Sequence, residues 1–410
     1  MGTWAFAPEF LGKRMSFISG PRQVGKTTLA LLLLEKLNQR QHYYNWDTLG
    51  VKGEFARNPL FFLERIPEPP PPPVVGGDPK YWVVFDEFHK HRLWKEFLKG
   101  YYDEFGHFIR FVVCGSARLD VYRRGGESLI GRYFPFRMFP LGPWDVVEGE
   151  KFDRDRVWMP GIGVAFPLVS PQFKEAVLAI YKLTGFPEPF IDGREEFYRR
   201  WRDEHISLLT TEEVRDLSRI SDMVRFQALA MLLPERVGSL LSINNLAQTL
   251  LVAHSTVSTW LDAMEQVYLV FRVSSYFARL SRVIKKAKKL YFWDWGVIEE
   301  QSKRLENFLA VQLTRAISAW TEWGKGSFSL FFVRTKDGRE VDFLITWDGR
   351  PWMLVEVKLS ETRLDNNLAY FKEALGCELA FQVVLKDDYL RQAAPGIFVI
   401  DLVRFMSILV

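Results

Sequence analysis

Cysteine and long apolar runs are both scarce in this sequence. Only Cys114 and Cys377 occur among 410 residues, too few for a disulfide framework or a thiolate metal site. The sequence contains no apolar run of about 18 residues, the length that a membrane-spanning helix needs. The segment from Met1 to Lys13 also lacks the charged start and long apolar stretch of a signal peptide. We therefore expect a cytoplasmic protein with no membrane partner.

An excess of one charge is also lacking. The chain has 54 Lys and Arg against 50 Asp and Glu, and its net charge of +4 is small for its length. Any affinity for nucleic acid must therefore come from local clusters of charge. A hydrophobic fraction of 48% and a charged fraction of 25% are typical of folded proteins. The length predicts roughly two to four domains.

A glycine-rich segment carries the first chemical signal. GPRQVGKTT, Gly20 to Thr28, follows the apolar run Met15 to Ser19 and precedes LALLLLEKL, which is typical of a helix. A strand, a glycine-rich turn and a helix are the context in which GxxxxGK[ST] indicates a phosphate-binding loop. Lys26 would reach the β and γ phosphates, and the hydroxyl of Thr27 would ligate Mg²⁺. The residues predicted to bind ATP or ADP are Gly20, Pro21, Arg22, Gln23, Val24, Gly25, Lys26, Thr27 and Thr28.

Two later strands end in residues suited to the same site. YWVVFDE, Tyr81 to Glu87, has the apolar pattern of a buried strand and ends in two acids. At the carboxyl end of a strand beside a phosphate loop, Asp86 can hold Mg²⁺ through water and Glu87 can polarise the attacking water. RFVVCGSAR, Arg110 to Arg118, is a further strand that ends in small polar residues. Ser116 is therefore our candidate for contact with the γ-phosphate.

These residues resemble the AAA-type branch of the P-loop ATPases. GRYFPFRMFPLGPWD, Gly131 to Asp145, looks like the stretch in prokaryotic members where a Gly-Arg pair precedes a strand and a Pro-Leu. The resemblance implies that Arg132 responds to nucleotide, although a structural surface role for this arginine stays open. Members of this group often place an arginine of a neighbouring subunit at the nucleotide, which leaves a homo-oligomer open. PEPPPPP, Pro67 to Pro73, is a polyproline linker or insert before the acidic strand.

The middle of the chain is predicted to be largely helical. A helical pattern from about residue 172 to residue 234 contains a Gly-Phe-Pro-Glu-Pro turn similar to one in the same ATPases. We predict that this segment caps the nucleotide site. SINNLAQTLLVAHSTVSTWLDAMEQVYLVFRV, Ser242 to Val273, then predicts a helix, a short turn, a second helix and a β run from near Tyr268. This layout matches a winged helix-turn-helix, whose second helix can enter the major groove of DNA.

A basic segment follows the second of these helices. RLSRVIKKAKK, Arg279 to Lys289, contains no acidic residue. A basic loop of this kind can contact DNA phosphates without reading bases, which makes binding strongly dependent on salt. A solvated loop on a winged helix that only packs against protein explains the same composition. The residues predicted to contact DNA are Arg279, Arg282, Lys285, Lys286, Lys288 and Lys289.

The last part of the chain predicts the element order αβββαβ, which is the core of the restriction-endonuclease-like fold. Its residues resemble the PD-(D/E)xK nuclease signature, with Asp342 as the first acid and Glu356, Val357 and Lys358 as the ExK motif. Glu306 matches an acid that this fold often contributes from its first helix. The predicted elements are a helix from about Lys303 to Trp320, strands Phe328 to Arg334, Glu340 to Trp347 and Trp352 to Leu359, a helix Arg363 to Leu375 and a strand Leu379 to Leu385.

Whether the two acids of this signature meet depends on the turn between their strands. A two-residue turn at Asp348-Gly349 puts Asp342 and Glu356 on opposite faces of the β ribbon. A three-residue loop that also includes Trp347, with a bulge at Gly349, brings the two acids to one face. Because metal chemistry needs both acids together, it predicts the three-residue loop.

Converged acids would bind a divalent metal. The resemblance implies that Asp342, Glu356 and the backbone carbonyl of Val357 hold Mg²⁺ or Mn²⁺, hard ions that prefer oxygen ligands. Lys358 would orient or help deprotonate the attacking water. Ordinary surface acids on a β hairpin are the alternative. The predicted catalytic residues are Glu87 in the ATPase site and Glu306, Asp342, Glu356 and Lys358 in the nuclease site.

Together these patterns predict an α/β protein with a P-loop AAA-type ATPase core (1–150), a helical lid (151–236), a winged helix-turn-helix (237–298) and a PD-(D/E)xK nuclease-like domain (299–410). The resemblance covers nearly the whole chain and points to prokaryotic AAA-type ATPases whose C-terminal domain was long of unknown function. The first hypothesis is ATP hydrolysis that controls a metal-dependent deoxyribonuclease. Two alternatives stay open: a nucleotide-controlled DNA-binding or signalling switch with an inert nuclease fold, and an assembly factor whose winged helix only packs.

Overall fold

The computed structural model describes residues 14–66, 81–115, 129–147, 166–217, 220–276 and 288–409. These residues fall into two compact units, which divide between Phe139 and Pro140. In the described part of the chain, no helix is long and apolar enough to cross a membrane. The predicted residues that lie outside the described ranges are the proline run Pro67 to Pro73, the candidate Ser116, and the basic residues Arg279, Arg282, Lys285 and Lys286.

The first unit is built on a parallel five-stranded sheet. Its strands are β1 (Met15–Ser19), β2 (Tyr43–Asn45), β3 (Tyr81–Asp86), β4 (Ile109–Cys114) and β5 (Tyr133–Arg137), and its helices are α1 (Lys26–Lys36), α2 (Leu49–Arg57) and α3 (Trp94–Phe105). The strand order is β2-β3-β4-β1-β5, and every neighbouring pair is parallel. Strands β1, β3 and β4 are buried along their whole length, as expected when both faces of a parallel sheet are covered.

Aromatic side chains fill the core of the first unit. The ring of Phe62 packs edge-on against Phe85, Tyr101 and Phe111, with ring centroids 5.7, 4.8 and 5.9 Å apart. Such edge-to-face pairs stabilise a core beyond the area that they bury. Because Phe85 and Phe111 lie on β3 and β4, this packing fixes these two strands, and β3 ends at the predicted acid Asp86.

The second unit begins with helices, as the pattern between residues 172 and 234 predicts. The role of this segment as a lid over the nucleotide site stays a prediction. A π-helical segment, Leu209–Glu213, follows the helix Glu195–Leu208. The helices of this part are α4 (Pro143–Val146), α5 (Pro171–Lys182), α6 (Pro187–Asp192), α7 (Glu195–Leu208), α8 (Val214–Leu217), α9 (Met223–Leu232), α10 (Ile243–Leu250) and α11 (His254–Gln266).

An eight-stranded sheet forms the rest of the second unit. Its elements are β6 (Val270–Ser275), β7 (Lys288–Phe292), α12 (Gln301–Glu322), β8 (Phe328–Arg334), β9 (Glu340–Trp347), β10 (Arg350–Lys358), α13 (Asn366–Leu375), β11 (Leu379–Val384), β12 (Leu390–Ala394), β13 (Ile397–Asp401) and α14 (Leu402–Ser407). The strand order in the sheet is β12-β13-β11-β10-β9-β8-β6-β7. Along the chain, the elements from α12 to β11 follow the predicted αβββαβ succession. The predicted element order is therefore confirmed.

The sheet corrects one predicted domain boundary. Strand β6 pairs in parallel with β8, with Ser274 opposite Phe331 and Ser275 opposite Phe332. The hairpin of β6 and β7 therefore extends the sheet that β8 to β11 form. A boundary after residue 298 divides this one sheet, because backbone hydrogen bonds cross it.

The register of β9 and β10 corrects the predicted turn. The turn has two residues, Asp348 and Gly349, both with positive φ (46° and 81°), so the prediction of a three-residue loop is wrong. A bulge at Trp352 then shifts the pairing by one residue, and Phe343 pairs with Val355. Continued by one more residue, this register puts the two predicted acids on the same face. The bulge, which was not predicted, brings the two acids to one face, as the longer loop was expected to do.

Candidate functional site

The phosphate loop connects β1 to α1, as predicted. Gly20 and Gly25 have φ of +148° and +96°, a region that favours glycine. A Cβ on Gly20 would lie 2.2 Å from the backbone oxygen of Met138, so no side chain fits there. Helix α1 begins at Lys26 with no side-chain cap and no acid in its first turn. Its open N–H groups and its dipole therefore favour a bound phosphate.

Lys26 is folded over this loop. Its ammonium is almost fully buried and donates to the backbone oxygens of Gly20 (3.0 Å) and Pro21 (2.5 Å). An ammonium has three rotatable N–H donors, so Lys26 can exchange these carbonyls for phosphate oxygens. This position fits the predicted contact with the β and γ phosphates.

The other predicted loop residues differ in exposure. Val24 is fully buried and anchors the loop in the first unit. Arg22 is half-buried, whereas Gln23 and Thr28 are exposed. The loop therefore combines buried apolar residues with exposed polar side chains.

Thr27 and Asp86 meet beside the loop. The hydroxyl of Thr27 donates to Oδ2 of the buried Asp86 over 2.6 Å, and the hydroxyl of Tyr43 donates to the same oxygen over 2.7 Å. Burial and the charge of Asp86 raise the pKa of Tyr43 well above its usual value, so the phenol stays a donor. The adjacent hydroxyl and carboxylate oxygens are donors of the kind that Mg²⁺ prefers. They fit the predicted metal roles of Thr27 and Asp86.

We predict that Tyr43→Phe weakens Mg²⁺ binding at this site. The change removes one of two donors that hold the Asp86 carboxylate, and loss of such supporting hydrogen bonds typically costs about 10-fold or more in metal affinity. The measurement is the Mg²⁺ concentration that gives half-maximal ATP hydrolysis, which should rise about 10-fold. Tyr44→Phe is the matched control, because its hydroxyl donates to the backbone of Phe62 instead. Equal Mg²⁺ requirements in the two variants would contradict the assignment.

Glu87 is held just beyond Asp86. Its backbone has φ of +57°, which is strained for a residue other than glycine, and its N–H donates to the oxygen of Cys114 over 2.9 Å. Its carboxylate lies 3.1 Å from the ammonium of Lys90, which also pairs with Asp47 at 2.6 Å. The predicted base is therefore ordered by both its backbone and an ion pair.

Arg132 lies away from the phosphate loop of its own chain. The N–H of Met15 donates to the oxygen of Arg132 over 2.8 Å, so Arg132 precedes β5 at the amino end of the parallel strands. The phosphate loop follows the carboxyl end of β1. The guanidinium of Arg132 forms two hydrogen bonds with Asp103, at 2.7 and 3.0 Å. A nucleotide contact of Arg132 within one chain is therefore wrong; the strand end that faces the loop carries Arg137, aligned with Ser19.

In the second unit, the predicted nuclease residues do converge. The N–H of Asp342 donates to Oε2 of Glu356 over 3.3 Å, and the N–H of Val357 donates to Oδ2 of Asp342 over 3.0 Å. The ammonium of Lys358 lies 2.7 Å from Oε1 of Glu356 and 3.0 Å from Asp365. Asp342, Glu356 and Lys358 thus lie together, as the resemblance implies.

Lys289 occupies the centre of this acidic cluster, which we define as Glu306, Glu340, Asp342 and Glu356. Its ammonium lies 3.1 Å from Glu306, 2.8 Å from Glu340 and 3.0 Å from Asp342, and its side chain is 1% exposed. A buried ammonium with three carboxylate partners cannot reach a DNA phosphate. The prediction that Lys289 contacts DNA is therefore wrong, and its half-buried neighbour Lys288 begins β7.

The acidic cluster does not match the predicted metal site. Burial and the charge of Asp342 raise the pKa of Glu306 to about 7 and the pKa of Glu356 to about 8. Within the described ranges, no group of three or more His, Cys, Asp or Glu side chains is arranged to hold a metal. The ammonium groups of Lys289 and Lys358 already form ion pairs with all four acids. The residues present therefore do not fit a resident Mg²⁺ or Mn²⁺.

Sequence reasoning missed several residues of both sites. Tyr43 carries no motif, and only the pairing of β2 with β3 brings it to Asp86. Glu340 precedes Asp342 by two residues on one strand, and this spacing was a usable signal that they share a face. Lys289 was predicted, but as a contact with DNA, because it ends a basic run.

Three domain models match the chain. Residues 12–144 match an AAA domain, a range that includes the phosphate loop and the acidic strand β3. Residues 178–306 match a domain of unknown function, DUF8612, and residues 303–405 match another, DUF4143. The second range includes α9 to α11 and the hairpin of β6 and β7, and the third includes β8 to β13.

Similar proteins occur in several bacteria. Two proteins named as uncharacterised, from Mycobacterium tuberculosis and Mycobacterium bovis, are 25% identical over 358 residues, which cover 84% of this chain and 70% of theirs. One from Haemophilus influenzae is 20% identical over 346 residues, covering 80% and 78%. Among solved structures, the Orc1 protein of Aeropyrum pernix, in a complex with DNA, is 15% identical, with 73% of this chain and 88% of that chain covered and a TM-score of 0.31.

The loop geometry and the domain match agree on the first unit. Lys26, Thr27 and Asp86 meet at the carboxyl edge of a parallel sheet, within the range that matches the AAA domain. Residues 12–144 therefore match an AAA domain and carry its phosphate loop, and residues 303–405 match a DUF4143 domain.

Proposed function

We propose that this protein is a Mg²⁺-dependent ATPase whose nucleotide state controls the contact of the second unit with DNA. The observation that carries the proposal is the meeting of Lys26, Thr27 and Asp86 at one edge of the first sheet. This arrangement provides a cation for phosphates and hard oxygen donors for a metal, next to an ordered carboxylate at Glu87.

Each residue has one role in this proposal. The N–H groups of the loop and the ammonium of Lys26 bind the phosphate oxygens. Thr27 and Asp86 hold Mg²⁺, which, when bound, offsets negative charge on the β and γ phosphates. Glu87 orients the attacking water and accepts its proton.

Glu87→Gln tests the hydrolytic role. Glutamine keeps the size and hydrogen bonding of glutamate but is a far weaker base, so the variant should bind ATP normally and hydrolyse it about 100-fold more slowly. Binding is measured with a fluorescent ATP analogue, and turnover is measured as phosphate release. Glu96→Gln, an exposed acid in the first turn of α3, serves as the control. Turnover by Glu87→Gln at the wild-type rate would rule out this role.

The proposal of DNA contact rests on the second unit. Helices α10 and α11 are followed by the hairpin of β6 and β7, the layout that the winged-helix prediction requires. The exposed residues His254, Ser255 and Thr259 on α11 are polar, and the sequence between β6 and β7 supplies the cations. Because Lys289 is buried, the DNA contacts of this proposal come from Arg279, Arg282, Lys285 and Lys286, with Lys288 at the edge of β7.

Replacing the cations between β6 and β7 tests this contact. A variant with Ala at Arg279, Arg282, Lys285 and Lys286 should bind duplex DNA at least about 10-fold more weakly, with a shallower dependence on salt. Fluorescence anisotropy of a labelled duplex, measured at several salt concentrations with ATP or ADP, reports both quantities. The control carries Ala at the exposed Lys336 and Arg339. If this variant and the wild type bind DNA with equal affinity and equal salt dependence, the result instead favours an assembly factor.

DNA cleavage is not part of this proposal. The first hypothesis from the sequence requires a divalent metal between Asp342 and Glu356, and the ammonium of Lys289 lies against the first of these acids. We therefore favour the DNA-binding switch with an inert nuclease-like module.

A further inference from the structure

We propose that the acidic cluster carries its own cation: the ammonium of Lys289 takes the place of a divalent metal, so the C-terminal module retains a nuclease-like arrangement without a metal centre. This inference does not depend on the DNA contact proposed above. The replacement of a metal by Lys289 stands on the geometry of the second unit alone.

The ammonium of Lys289 has as many N–H donors as it has carboxylate partners. A lysine has three N–H donors, and Lys289 lies within ion-pair distance of three carboxylates. Oxygens of Glu306, Glu340 and Asp342 lie 3.1, 2.8 and 3.0 Å from its nitrogen. Because these acids come from α12 and β9 while Lys289 comes from β7, the ammonium joins three elements in the way that a bridging metal does.

The oxygens of the two predicted metal-binding acids all have partners in the protein. Asp342 accepts from Lys289 at Oδ1 and from the N–H of Val357 at Oδ2. Glu356 accepts from Lys358 at Oε1 and from the N–H of Asp342 at Oε2. A divalent ion would have to displace both lysines, and it would leave Lys289 buried beside a second positive charge.

The surroundings keep Lys289 charged and enclosed. Burial alone lowers the pKa of a lysine, but Tyr291 and the charges of the surrounding acids raise the pKa of Lys289 well above its usual value. The hydroxyl of Tyr291 donates to Glu306 over 2.7 Å, and a Cβ at Gly238 would lie 2.4 Å from Oε2 of Glu306. Tyr291 and Gly238 therefore both lie against the carboxylate of Glu306.

The same contact attaches the hairpin of β6 and β7 to the rest of the sheet. Strand β6 pairs with β8 through Ser274 and Ser275, whereas β7 pairs only with β6 among the described strands of this sheet. Lys289 connects β7 to Asp342 on β9 and to Glu306 on α12. The ammonium is thus a structural element of the module, in the position where a nuclease needs a labile metal site.

Mn²⁺ uptake by the full-length protein, without nucleotide, tests this inference. Bound Mn²⁺ is counted from the loss of the electron paramagnetic resonance signal of the free ion. Asp342→Asn should leave the uptake of the wild-type protein unchanged, because no ion is held there, whereas Asp86→Asn should reduce any uptake by the first unit. A Mn²⁺ ion that binds to the wild type and is lost in Asp342→Asn would overturn the inference.

Lys289→Met gives the reverse test, because methionine keeps an unbranched apolar stem and removes the charge. This variant should bind one more Mn²⁺ per chain than the wild type, and Mn²⁺ should raise its unfolding midpoint by several degrees without shifting that of the wild type. Adding Asp342→Asn to Lys289→Met should abolish the gain. Lys358→Met is the matched control, since it leaves Lys289 in place and should gain no ion.

Whether Lys289→Met folds with or without Mn²⁺ also tests the inference. If the variant is soluble only when Mn²⁺ is supplied, the ion has replaced the ammonium, as we expect. A variant that takes up no further Mn²⁺, or that stays unfolded with Mn²⁺ present, contradicts the inference. Because every Mn²⁺ measurement is made without nucleotide, a result that contradicts the role of Lys289 is distinguishable from a failure of the ATPase proposal.

Discussion

Lys26→Ala is expected to lower ATP hydrolysis by at least about 100-fold and to weaken ATP binding strongly. Lys26 is the buried cation of the phosphate loop, held by the oxygens of Gly20 and Pro21. Its loss removes a charge-assisted contact to the phosphates, and removal of one such contact in a preorganised site typically costs 2 to 3 orders of magnitude in rate, about 3 to 4 kcal/mol. Phosphate release and fluorescent-nucleotide binding measure the two effects.

Lys36→Ala is the matched control for this experiment. Lys36 ends the same helix α1 but is exposed and lies in its last turn. We expect its variant to bind and hydrolyse ATP as the wild type does. If Lys26→Ala retained wild-type turnover, the nucleotide would have to bind somewhere other than the loop from Gly20 to Thr28.

Arg315→Met is expected to destabilise the second unit by about 3 to 5 kcal/mol. The guanidinium of Arg315 lies 2.7 Å from the carboxylate of Asp145, and their side chains are only 1% and 8% exposed. Asp145 also accepts from the N–H of Gly142 over 2.9 Å. Removing Arg315 takes a guanidinium partner away from a buried carboxylate, and breaking a buried pair in this way costs more than the pair itself contributes. Urea unfolding followed by tryptophan fluorescence gives the change in free energy.

Two further variants identify the cause of this loss. Adding Asp145→Asn to Arg315→Met should recover at least about 1 kcal/mol, because it removes a buried charge that has lost its guanidinium partner. Arg199→Met breaks an exposed pair with Glu195 on α7, at 2.5 Å, and should change stability by no more than about 0.5 kcal/mol. Equal losses in Arg199→Met and Arg315→Met would show that burial of the pair does not matter.

The candidate nucleotide site could be predicted from the sequence because its motifs are local. The loop, the start of α1 and the end of β3 each follow from a contiguous motif, and the parallel sheet brings their ends to one edge. Tyr43 was not predictable in this way, since its contact with Asp86 arises only from the pairing of β2 with β3. No local pattern reports a contact between neighbouring strands.

The C-terminal half shows the limit of reasoning from periodicity. The αβββαβ order followed from alternating and helical patterns, and the strands Phe328–Arg334 and Glu340–Trp347 have the predicted bounds. The turn did not follow, because a two-residue turn with a bulge at Trp352 gives the same alignment of acids as a three-residue loop. Burial of Trp352 beside Trp320 and Phe328 accompanies this bulge.

Lys289 illustrates a different limit. In the sequence it is the last cation of a basic run, and a run of charges favours an exposed surface. In the structure, its side chain is buried in the second unit. There it contacts Glu306 and Asp342, which are distant in sequence but close in space. A residue's charge predicts the kind of partner that it needs, but only the fold shows whether that partner is DNA or a buried acid.

Steady-state phosphate release by the wild-type protein, with saturating ATP and either excess Mg²⁺ or excess EDTA, addresses the proposed ATPase most directly. We predict turnover with Mg²⁺ and at least about 100-fold less in EDTA, because Thr27 and Asp86 are arranged to hold the ion. Turnover that persists undiminished in EDTA, or no turnover at any Mg²⁺ concentration, would contradict Mg²⁺-dependent ATP hydrolysis by the first unit.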